Sequence, residues 1–231
     1  MHPIIQSAVN KGHRALSEFQ SKRLLSEYGI PVSREMMTNS PDDACAAAEK
    51  IGFPVAVKAC SHALMHKTEV GVIELNVKSA KDVSSAYQRI ISSVSIKLEG
   101  VLVCEMVAGM RELVLGMSVE PQFGPCVMVG LGGVMTEILN DTAFRVAPFD
   151  LMEAREMIHE LKSHKLFESF RGEQAVDSDA ICKSLIALGE IALANPEIAE
   201  IDINPVKIDP YGKIKAVDAL VVLKGEDHDI H

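Results

Sequence analysis

A strand-like run that ends in a lysine constrains this chain most strongly. Residues 53–71 begin with Phe53-Pro-Val-Ala-Val-Lys58, an apolar run typical of a buried strand. An ammonium group is costly to bury unless an anion accompanies it, so we expect Lys58 to meet an anion such as a phosphate. The alternative is a lysine at the end of a strand whose charged tip reaches solvent.

Two histidines, His62 and His66, follow in the same stretch. An imidazole can change its charge near neutral pH or act as a nucleophile, and our working hypothesis makes His66 a phosphate carrier. The plainer interpretation is a pair of surface-loop histidines. A zinc site is disfavoured, because His62-Ala-Leu-Met-His66 lacks the glutamate of HExxH and no third ligand is nearby.

Length, charge and composition exclude several classes of protein. A chain of 231 residues can bury its own core, as one domain or two compact lobes. It contains no apolar run near the ~20 residues that a membrane helix requires. The net charge of −9, with 4% aromatic residues and no Trp, disfavours a nucleic-acid binder.

The N-terminal residues and the cysteines indicate the cellular compartment of the protein. Met1-His-Pro-Ile-Ile has no basic region followed by an apolar core, so the sequence predicts no signal peptide. The five cysteines are widely spaced and form no CxxC motif, which indicates buried free thiols in a reducing compartment. We therefore expect a cytoplasmic protein.

Hydrophobic periodicity predicts alternating helices and strands in the first hundred residues. Capping serines begin two of the helices, Ser40 and Ser79, and Gly71 to Val77 reads as a strand with Ile73, Leu75 and Val77 facing inward. The other elements are a helix over 7–28, a strand over 35–38 and a strand over 55–58.

Closely spaced strands in the middle of the chain predict an antiparallel meander, with strands at 101–106, 111–118, 126–130 and 134–139. Helices over 150–162 and 177–194 follow, and a helix-like piece covers 164–170. We place a lobe boundary near Glu105 to Gly109. The prediction is an N-terminal lobe over 1–105, a C-terminal lobe over 106–223 and a disordered tail over 224–231.

The sequence predicts two C-terminal strands, 200–208 and 214–223, joined as a hairpin by the turn Asp209-Pro-Tyr-Gly-Lys213. Pairing Ile208 with Ile214 across the turn places Asn204 opposite Asp218, and directly opposed side chains lie only ~5 Å apart. Asp202 shares a face with Asn204 because side chains alternate along a strand. Carboxylate and amide oxygens of this kind suit Mg²⁺.

The alternative for this hairpin is a solvated polar face on an edge strand, which is common on half-exposed sheets. Asp218 argues against it, because this residue lies within the apolar run Ala216-Val-Asp-Ala-Leu-Val-Val.

The glycines of Gly130-Leu-Gly-Gly133 carry little information by themselves. They match neither GxGxxG nor the P-loop pattern GxxxxGK[ST]. They would let backbone amides approach a phosphate, although a bulge or a tight turn explains them equally well.

An ordered series of motifs between Leu16 and Leu223 resembles one family, the ATP-grasp beta subunit of ADP-forming acetyl-CoA synthetases. The motifs are Phe53-Pro-Val-Ala-Val-Lys58, His66-Lys-Thr-Glu-Val-Gly71, Val101-Leu-Val-Cys-Glu-Met-Val107, Arg111-Glu-Leu-Val-Leu-Gly116, Pro121-Gln-Phe-Gly-Pro125, Gly130-Leu-Gly-Gly133 and Glu200-Ile-Asp-Ile-Asn-Pro205. One departure is Gly71-Val72, where the family commonly has two glycines.

The resemblance implies an α/β ATP-grasp fold of two lobes with nucleotide bound between them. It also implies a set of site residues. Lys58 would bind the nucleotide phosphates, Glu105, Met106 and Val107 would meet adenine, Glu112 would lie near the nucleotide, and Asp202, Asn204 and Asp218 would hold Mg²⁺.

The implied reaction is acyl-CoA + ADP + phosphate giving carboxylate + ATP + CoA. A separate alpha subunit would carry the CoA chemistry and its own phosphohistidine, in a hetero-oligomer with this chain. His66 would accept the phosphoryl group and deliver it to ADP. Two other functions stay open: an ATP-grasp ligase that forms an acyl-phosphate directly, and a non-catalytic nucleotide-sensing subunit.

Overall fold

The computed structural model describes residues 1–64, 72–132, 141–169 and 171–225. The chain divides into two compact units. The larger unit comprises Met1–Leu16, Gln20–Val32 and Val107–His231, and the smaller unit comprises Ser17–Phe19 and Ser33–Met106.

The described residues form these elements in chain order: α1 (Pro3–Asn10), α2 (Glu18–Glu27), β1 (Glu35–Thr38), α3 (Pro41–Ile51), β2 (Val55–Cys60), β3 (Ile73–Val77), α4 (Ala80–Ser93), β4 (Gly100–Glu105), β5 (Arg111–Glu120), β6 (Gly124–Leu131), β7 (Thr142–Val146), α5 (Leu151–Glu160), a 3₁₀ helix (His164–Phe167), α6 (Ser178–Ala194), β8 (Ile198–Ile208), β9 (Ile214–Ala216) and β10 (Leu220–Leu223).

The smaller unit is a four-stranded antiparallel sheet in the order β1-β4-β2-β3. One face of the sheet packs against α3 and α4, which are capped by Ser40 and Ser79 as predicted. All six residues of β2 are buried. Alternation along β2 directs Val55 and Val57 to the helix-covered face and Lys58 to the other.

Strand β3 does not alternate as predicted. Ile73 is half-buried and Val77 is buried, but Leu75 is 63% exposed. The pairing of β3 with β2 shifts register at this point, and Asn76 adopts a φ of 58°. A bulge adds one residue to the strand and so reverses the face on which the following side chains lie.

The larger unit contains a six-stranded antiparallel sheet in the order β10-β8-β5-β6-β7, with β9 paired to β8. Its core is formed by inward-facing residues of β5, β6 and β8 and by apolar residues of α5 and α6. Leu113, Leu115 and Met117 of β5 face this core. Residues between them, such as Glu112 and Gly116, therefore lie on the opposite face.

The turn between β8 and β9 is closely held. Asp209 N donates to Lys213 O at 2.8 Å, and the amides of Tyr211 and Lys213 both donate to Asp209 Oδ1 at 2.9 Å. Gly212 has a φ of +80°, and a Cβ there would collide with the carbonyl of Ala175. Only glycine fits this position without strain.

The N-terminal 32 residues depart from the predicted layout. The predicted helix over 7–28 is two helices, α1 and α2, with Gly12 between them at a φ of 69°. The predicted lobe over 1–105 also differs from the observed units, because Ile5, Leu16 and Leu25 pack into the core of the larger unit.

The predicted meander also needs correction. Strand β4 lies in the sheet of the smaller unit, and of the strands described between residues 100 and 146, β5, β6 and β7 are the ones that form consecutive antiparallel neighbours. The predicted strand over 134–139 lies outside the described residues. Among the helices that the structure describes, none has the length and apolar character needed to cross a bilayer.

Candidate functional site

Lys58 forms a buried ion pair within the smaller unit. Its Nζ donates to Glu18 Oε1 at 2.7 Å, and the two side chains are only 4% and 1% exposed. Glu18 is the first residue of α2. The anion beside Lys58 is therefore a carboxylate of the chain itself, and the predicted role of Lys58 on nucleotide phosphates stays a prediction.

Further polar groups surround this pair. Glu35 of β1 is paired with Cys104 of β4, and the Cys104 thiol lies 3.7 Å from Glu35 Oε2. One ligand atom each from Glu18, Glu35 and Cys104 lies within 4.8 Å of the others. Lys58 supplies positive charge to this group of acids, and like-charged carboxylates need such a partner when they are buried.

The C-terminal hairpin has the predicted register. Ile208 pairs with Ile214 and Asp202 pairs with Leu220. The amide of Asn204 donates to the carbonyl of Asp218 at 3.2 Å. Because Ile201 and Ile203 point into the core, Asp202 projects from the opposite face of β8.

The electrostatics of this face favour a cation. Burial raises the pKa of Asp202 to about 6, and the neighbouring carboxylates of Glu200 and Asp218 act in the same direction. A cation would relieve both effects, because it neutralises the crowded negative charge. Two Asp carboxylates and an Asn amide are oxygen donors that fit Mg²⁺, and Glu200 is an acid that the sequence analysis did not single out.

Glu112 lies on β5 opposite Lys207 of β8. Its Oε1 is 3.1 Å from Lys207 Nζ, and both side chains are partly exposed. The carboxylate therefore has a counter-charge within the larger unit. Its predicted place near the nucleotide stays a prediction.

Gly130 and Gly132 lie where the backbone and side chains of neighbouring strands come very close. Gly132 N donates to Glu112 O at 2.8 Å, and a Cβ on Gly132 would come within 2.8 Å of the Glu112 carbonyl carbon. A Cβ on Gly130 would come within 2.8 Å of Thr142 Cγ2. Close strand approach thus requires these two glycines, and Gly133 falls among the residues that are not described.

The predicted adenine-binding residues lie where the chain leaves the smaller unit at Met106 and enters the larger unit at Val107. Glu105 ends β4, and its carboxylate accepts hydrogen bonds from Arg34 N at 2.8 Å and Arg34 Nε at 3.0 Å. Its side chain is thus held within the smaller unit, whereas Met106 is exposed.

His66 lies outside the described residues, so its predicted role as carrier is not tested by the structure. His62 is described, and its backbone N and ring Nδ1 both lie 3.1 Å from Glu99 Oε1. Ser17 Oγ donates to the other oxygen of Glu99 at 2.8 Å. These contacts give His62 a structural role.

Glu18 and Lys22 are site residues that were not predicted from the sequence, although a signal was present. Both are charged residues, four positions apart, on the face of α2 that also carries Leu25, and all three are buried. Charges on the apolar stripe of a helix are costly unless they have partners. That pattern could have identified both residues as polar contacts within the fold.

Comparison with known proteins defines the class. Residues 7–223 match the model of the ATP-grasp domain, and the chain belongs to the ATP-grasp family. The predicted α/β ATP-grasp fold is thereby confirmed.

The particular relatives are acid–CoA ligases. The chain is 38% identical over 216 residues to the beta subunit of acetate–CoA ligase (ADP-forming) I of Pyrococcus furiosus, covering 91% of this chain and 93% of that subunit. It is 39% identical over 229 residues to acetate–CoA ligase (ADP-forming) I of Archaeoglobus fulgidus, covering 97% of this chain but only 33% of that longer protein. The predicted resemblance to the beta subunit is confirmed.

A solved structure of acetyl-coenzyme A synthetase 1 from Ca. Korarchaeum cryptofilum superposes with a TM-score of 0.90 at 42% identity, covering 96% of this chain and 98% of that chain. Another structure of that protein contains coenzyme A and Mg-AMPPCP, with its phosphohistidine segment pointing towards the nucleotide binding site.

Proposed function

We propose that this chain is the nucleotide-binding beta subunit of an ADP-forming acyl-CoA synthetase. With an alpha subunit it would convert acyl-CoA, ADP and phosphate into carboxylate, ATP and CoA. The observation that carries the proposal is the hairpin register, which puts Asp202 opposite Leu220 and bonds the Asn204 amide to the Asp218 carbonyl, in a chain of the ATP-grasp family.

Magnesium and nucleotide are the groups that these oxygens fit. Mg²⁺ would be held by Asp202, Asn204 and Asp218, and when bound it neutralises charge on the phosphates of ADP or ATP. The Mg-AMPPCP complex of the Korarchaeum relative supports this assignment. Phosphoryl transfer demands mainly positioning and charge neutralisation from the protein.

Lys58 is assigned to the phosphates as well. Its ammonium is fixed by Glu18 on a fully buried strand, so its position is set before any substrate arrives. An ordered cation loses little entropy when it binds a phosphate. Glu105, Met106, Val107 and Glu112 complete the proposed nucleotide-binding residues.

His66 is the proposed phosphoryl carrier. A ring nitrogen would receive the phosphoryl group from the alpha subunit, whose own phosphohistidine would supply it. In the second transfer the N–P bond breaks, an oxygen of the ADP β-phosphate forms the new O–P bond, and neutral imidazole is released. The phosphohistidine segment of the Korarchaeum relative supports this role.

The alpha subunit is the proposed partner in a hetero-oligomer, since the Pyrococcus relative is a beta subunit of similar length. The reaction is assigned to the cytoplasm. Each of the five cysteines lies in the described residues and is a free thiol, which fits a reducing compartment.

Phosphate labelling tests the carrier role. The chain and its alpha subunit are incubated with γ-phosphate-labelled ATP and Mg²⁺, and the subunits are separated under denaturing conditions. We expect acid-labile label on this chain that disappears in His66→Ala and persists in His62→Ala. The His62 variant is the matched control, because it removes a nearby imidazole whose contact is with Glu99.

Measurements of synthetase activity, nucleotide binding and label exchange distinguish the two other functions from the carrier role. Full synthetase activity in His66→Ala would identify a ligase that forms the acyl-phosphate directly. Saturable binding of Mg-ADP without exchange of label between ADP and ATP, with alpha subunit present, would identify a nucleotide sensor.

A further inference from the structure

Lys22 is a completely buried lysine to which the proposed function assigns no role. It is 0% exposed and lies in the part of α2 that belongs to the larger unit. Its Nζ donates to the carbonyl oxygen of Val217 at 3.3 Å. Removing an ammonium group from water costs roughly several kcal/mol in a protein. A lysine at such a site therefore needs contacts that compensate for the lost hydration.

The segment that Lys22 contacts interrupts the hairpin. Strand β9 pairs with β8 up to Ala216, and β10 resumes the pairing at Leu220. Asp218 lies in the gap between these two ladders. Two backbone hydrogen bonds with β8 still cross this gap, from Val217 N to Pro205 O at 3.0 Å and from Asn204 N to Asp218 O at 3.2 Å, and the contact with Lys22 adds to them.

Those contacts fix both peptide planes that flank Asp218. The Val217 carbonyl belongs to the plane before the Asp218 Cα, and Lys22 holds this carbonyl. The Asp218 carbonyl belongs to the plane after it, and the Asn204 amide holds that one. The two hydrogen bonds restrain the peptide planes on both sides of the Asp218 Cα, and they thereby restrict φ and ψ of Asp218 and the direction of its Cα–Cβ bond.

A second contact from α2 acts on the same segment. Ser21, also fully buried, accepts a hydrogen bond from Val221 N at 3.2 Å. Two consecutive residues of α2 thus hold the chain on either side of Asp218. The adjacent Arg23 is exposed and pairs instead with Glu27.

We infer that Lys22 is a positioning residue that aims the Asp218 carboxylate at the cation shared with Asp202 and Asn204. This inference rests on the proposed magnesium and nucleotide function. A positioning role and a purely electrostatic role predict opposite changes in cation affinity when Lys22 is removed. If Lys22 acted only through its charge, its removal would strengthen cation binding, because a neighbouring positive charge repels the metal. A positioning role requires weaker binding.

The test uses the full chain, with Mn²⁺ as a paramagnetic stand-in for Mg²⁺. Binding of Mn-ADP is followed by the spin-resonance signal of free Mn²⁺, and binding of metal-free ADP is measured by calorimetry with chelator. For Lys22→Met we expect roughly 10-fold weaker Mn-ADP binding, as for other residues that orient metal ligands, and metal-free ADP binding within about 2-fold of wild type.

Arg23→Met is the matched control, since it removes a positive charge from the neighbouring position of the same helix. We expect it to leave both affinities unchanged. Unchanged or tighter Mn-ADP binding in Lys22→Met would overturn the positioning role, as would equal weakening of Mn-ADP and metal-free ADP.

Two further measurements keep the inference testable if Lys22→Met does not fold. Ser21→Ala removes a hydroxyl group from the same contact region, and we expect a smaller loss of Mn-ADP affinity in the same direction. Relative to wild type, Ser21→Ala should also accelerate amide hydrogen exchange at Asn204 more than in the β5–β8 ladder. If Lys22→Met is unfolded and Ser21→Ala matches wild type in both respects, the inference is wrong.

The wild-type chain separates this inference from the proposed function. If wild type binds neither Mn-ADP nor ADP, the proposed function fails. If wild type binds Mn-ADP and Lys22→Met binds it equally well, only the role of Lys22 fails.

Discussion

The Nζ of Lys58 lies 2.7 Å from Glu18 Oε1, and almost nothing of either side chain is exposed to solvent. The pair joins β2 to the first residue of α2 within the smaller unit. It fixes the position of the lysine that we assign to nucleotide phosphates.

Glu18→Gln should strongly destabilise the chain. The substitution leaves the buried ammonium of Lys58 without its carboxylate partner, and breaking a buried ion pair costs about 3 to 5 kcal/mol. Urea unfolding measures the loss. Asp179→Asn, which breaks the exposed Arg155–Asp179 pair, is the control and should change stability far less, because solvent screens an exposed pair. Equal effects of the two variants would contradict the prediction.

The double variant Glu18→Gln/Lys58→Met should regain much of the lost stability, because the uncompensated charge is removed as well. It should nevertheless bind Mg-ADP roughly 10- to 100-fold more weakly, the expected loss of one charge-assisted contact. Calorimetric titration of the stable double variant measures this. Wild-type affinity would show that Lys58 is a structural residue only.

Asp202→Asn should stabilise the metal-free chain at pH 7. The folded-state pKa of Asp202 is raised from 3.8 to about 6, so the folded chain binds more protons than the unfolded chain between these values. Stability from this group is complete below about pH 4 and is lost as pH rises through 6. The variant lacks this loss, so its advantage in melting temperature over wild type should grow between pH 4 and pH 7 in chelator.

Added Mg²⁺ should then raise the melting temperature of wild type at pH 7 but not that of Asp202→Asn. Asp42→Asn, an exposed change in α3, should respond to Mg²⁺ as wild type does. A wild type that is insensitive to Mg²⁺ at millimolar concentration would count against the cation site.

Gly132→Ala should destabilise the larger unit. The new Cβ would approach the carbonyl carbon of Glu112 to 2.8 Å, and backbone on β5 cannot yield as a flexible side chain can. Overpacking of this kind costs about 1 to 3 kcal/mol. The control is Gly225→Ala, where the nearest atom is 4.0 Å away, and thermal unfolding compares the two. Unchanged stability of Gly132→Ala would mean that the strands separate freely.

Local sequence signals predicted the helix starts and the hairpin register. Ser40 and Ser79 bond amides three residues ahead, and the pairing of Asp202 with Leu220 follows from the length of one turn. Such features depend on neighbours in the chain, which the sequence displays directly.

Contacts between distant residues escaped prediction. Glu18 and Lys58 are separated by 40 positions, and their meeting depends on tertiary packing. The long predicted helix over 7–28 failed for a different reason. The apolar periodicity runs through Gly12, but this glycine takes the positive φ that separates α1 from α2.

The length of the turn between β8 and β9 determines which residues pair across the hairpin, and therefore the face on which Asp218 lies. The turn is pinned by the Asp209 side chain and by Gly212 against Ala175, so an inserted residue could not easily be absorbed as a loose loop. One extra residue there would slip the pairing by one place and turn Asp218 towards the core. Insertions in this turn should therefore abolish cation binding, although the turn itself supplies no ligand.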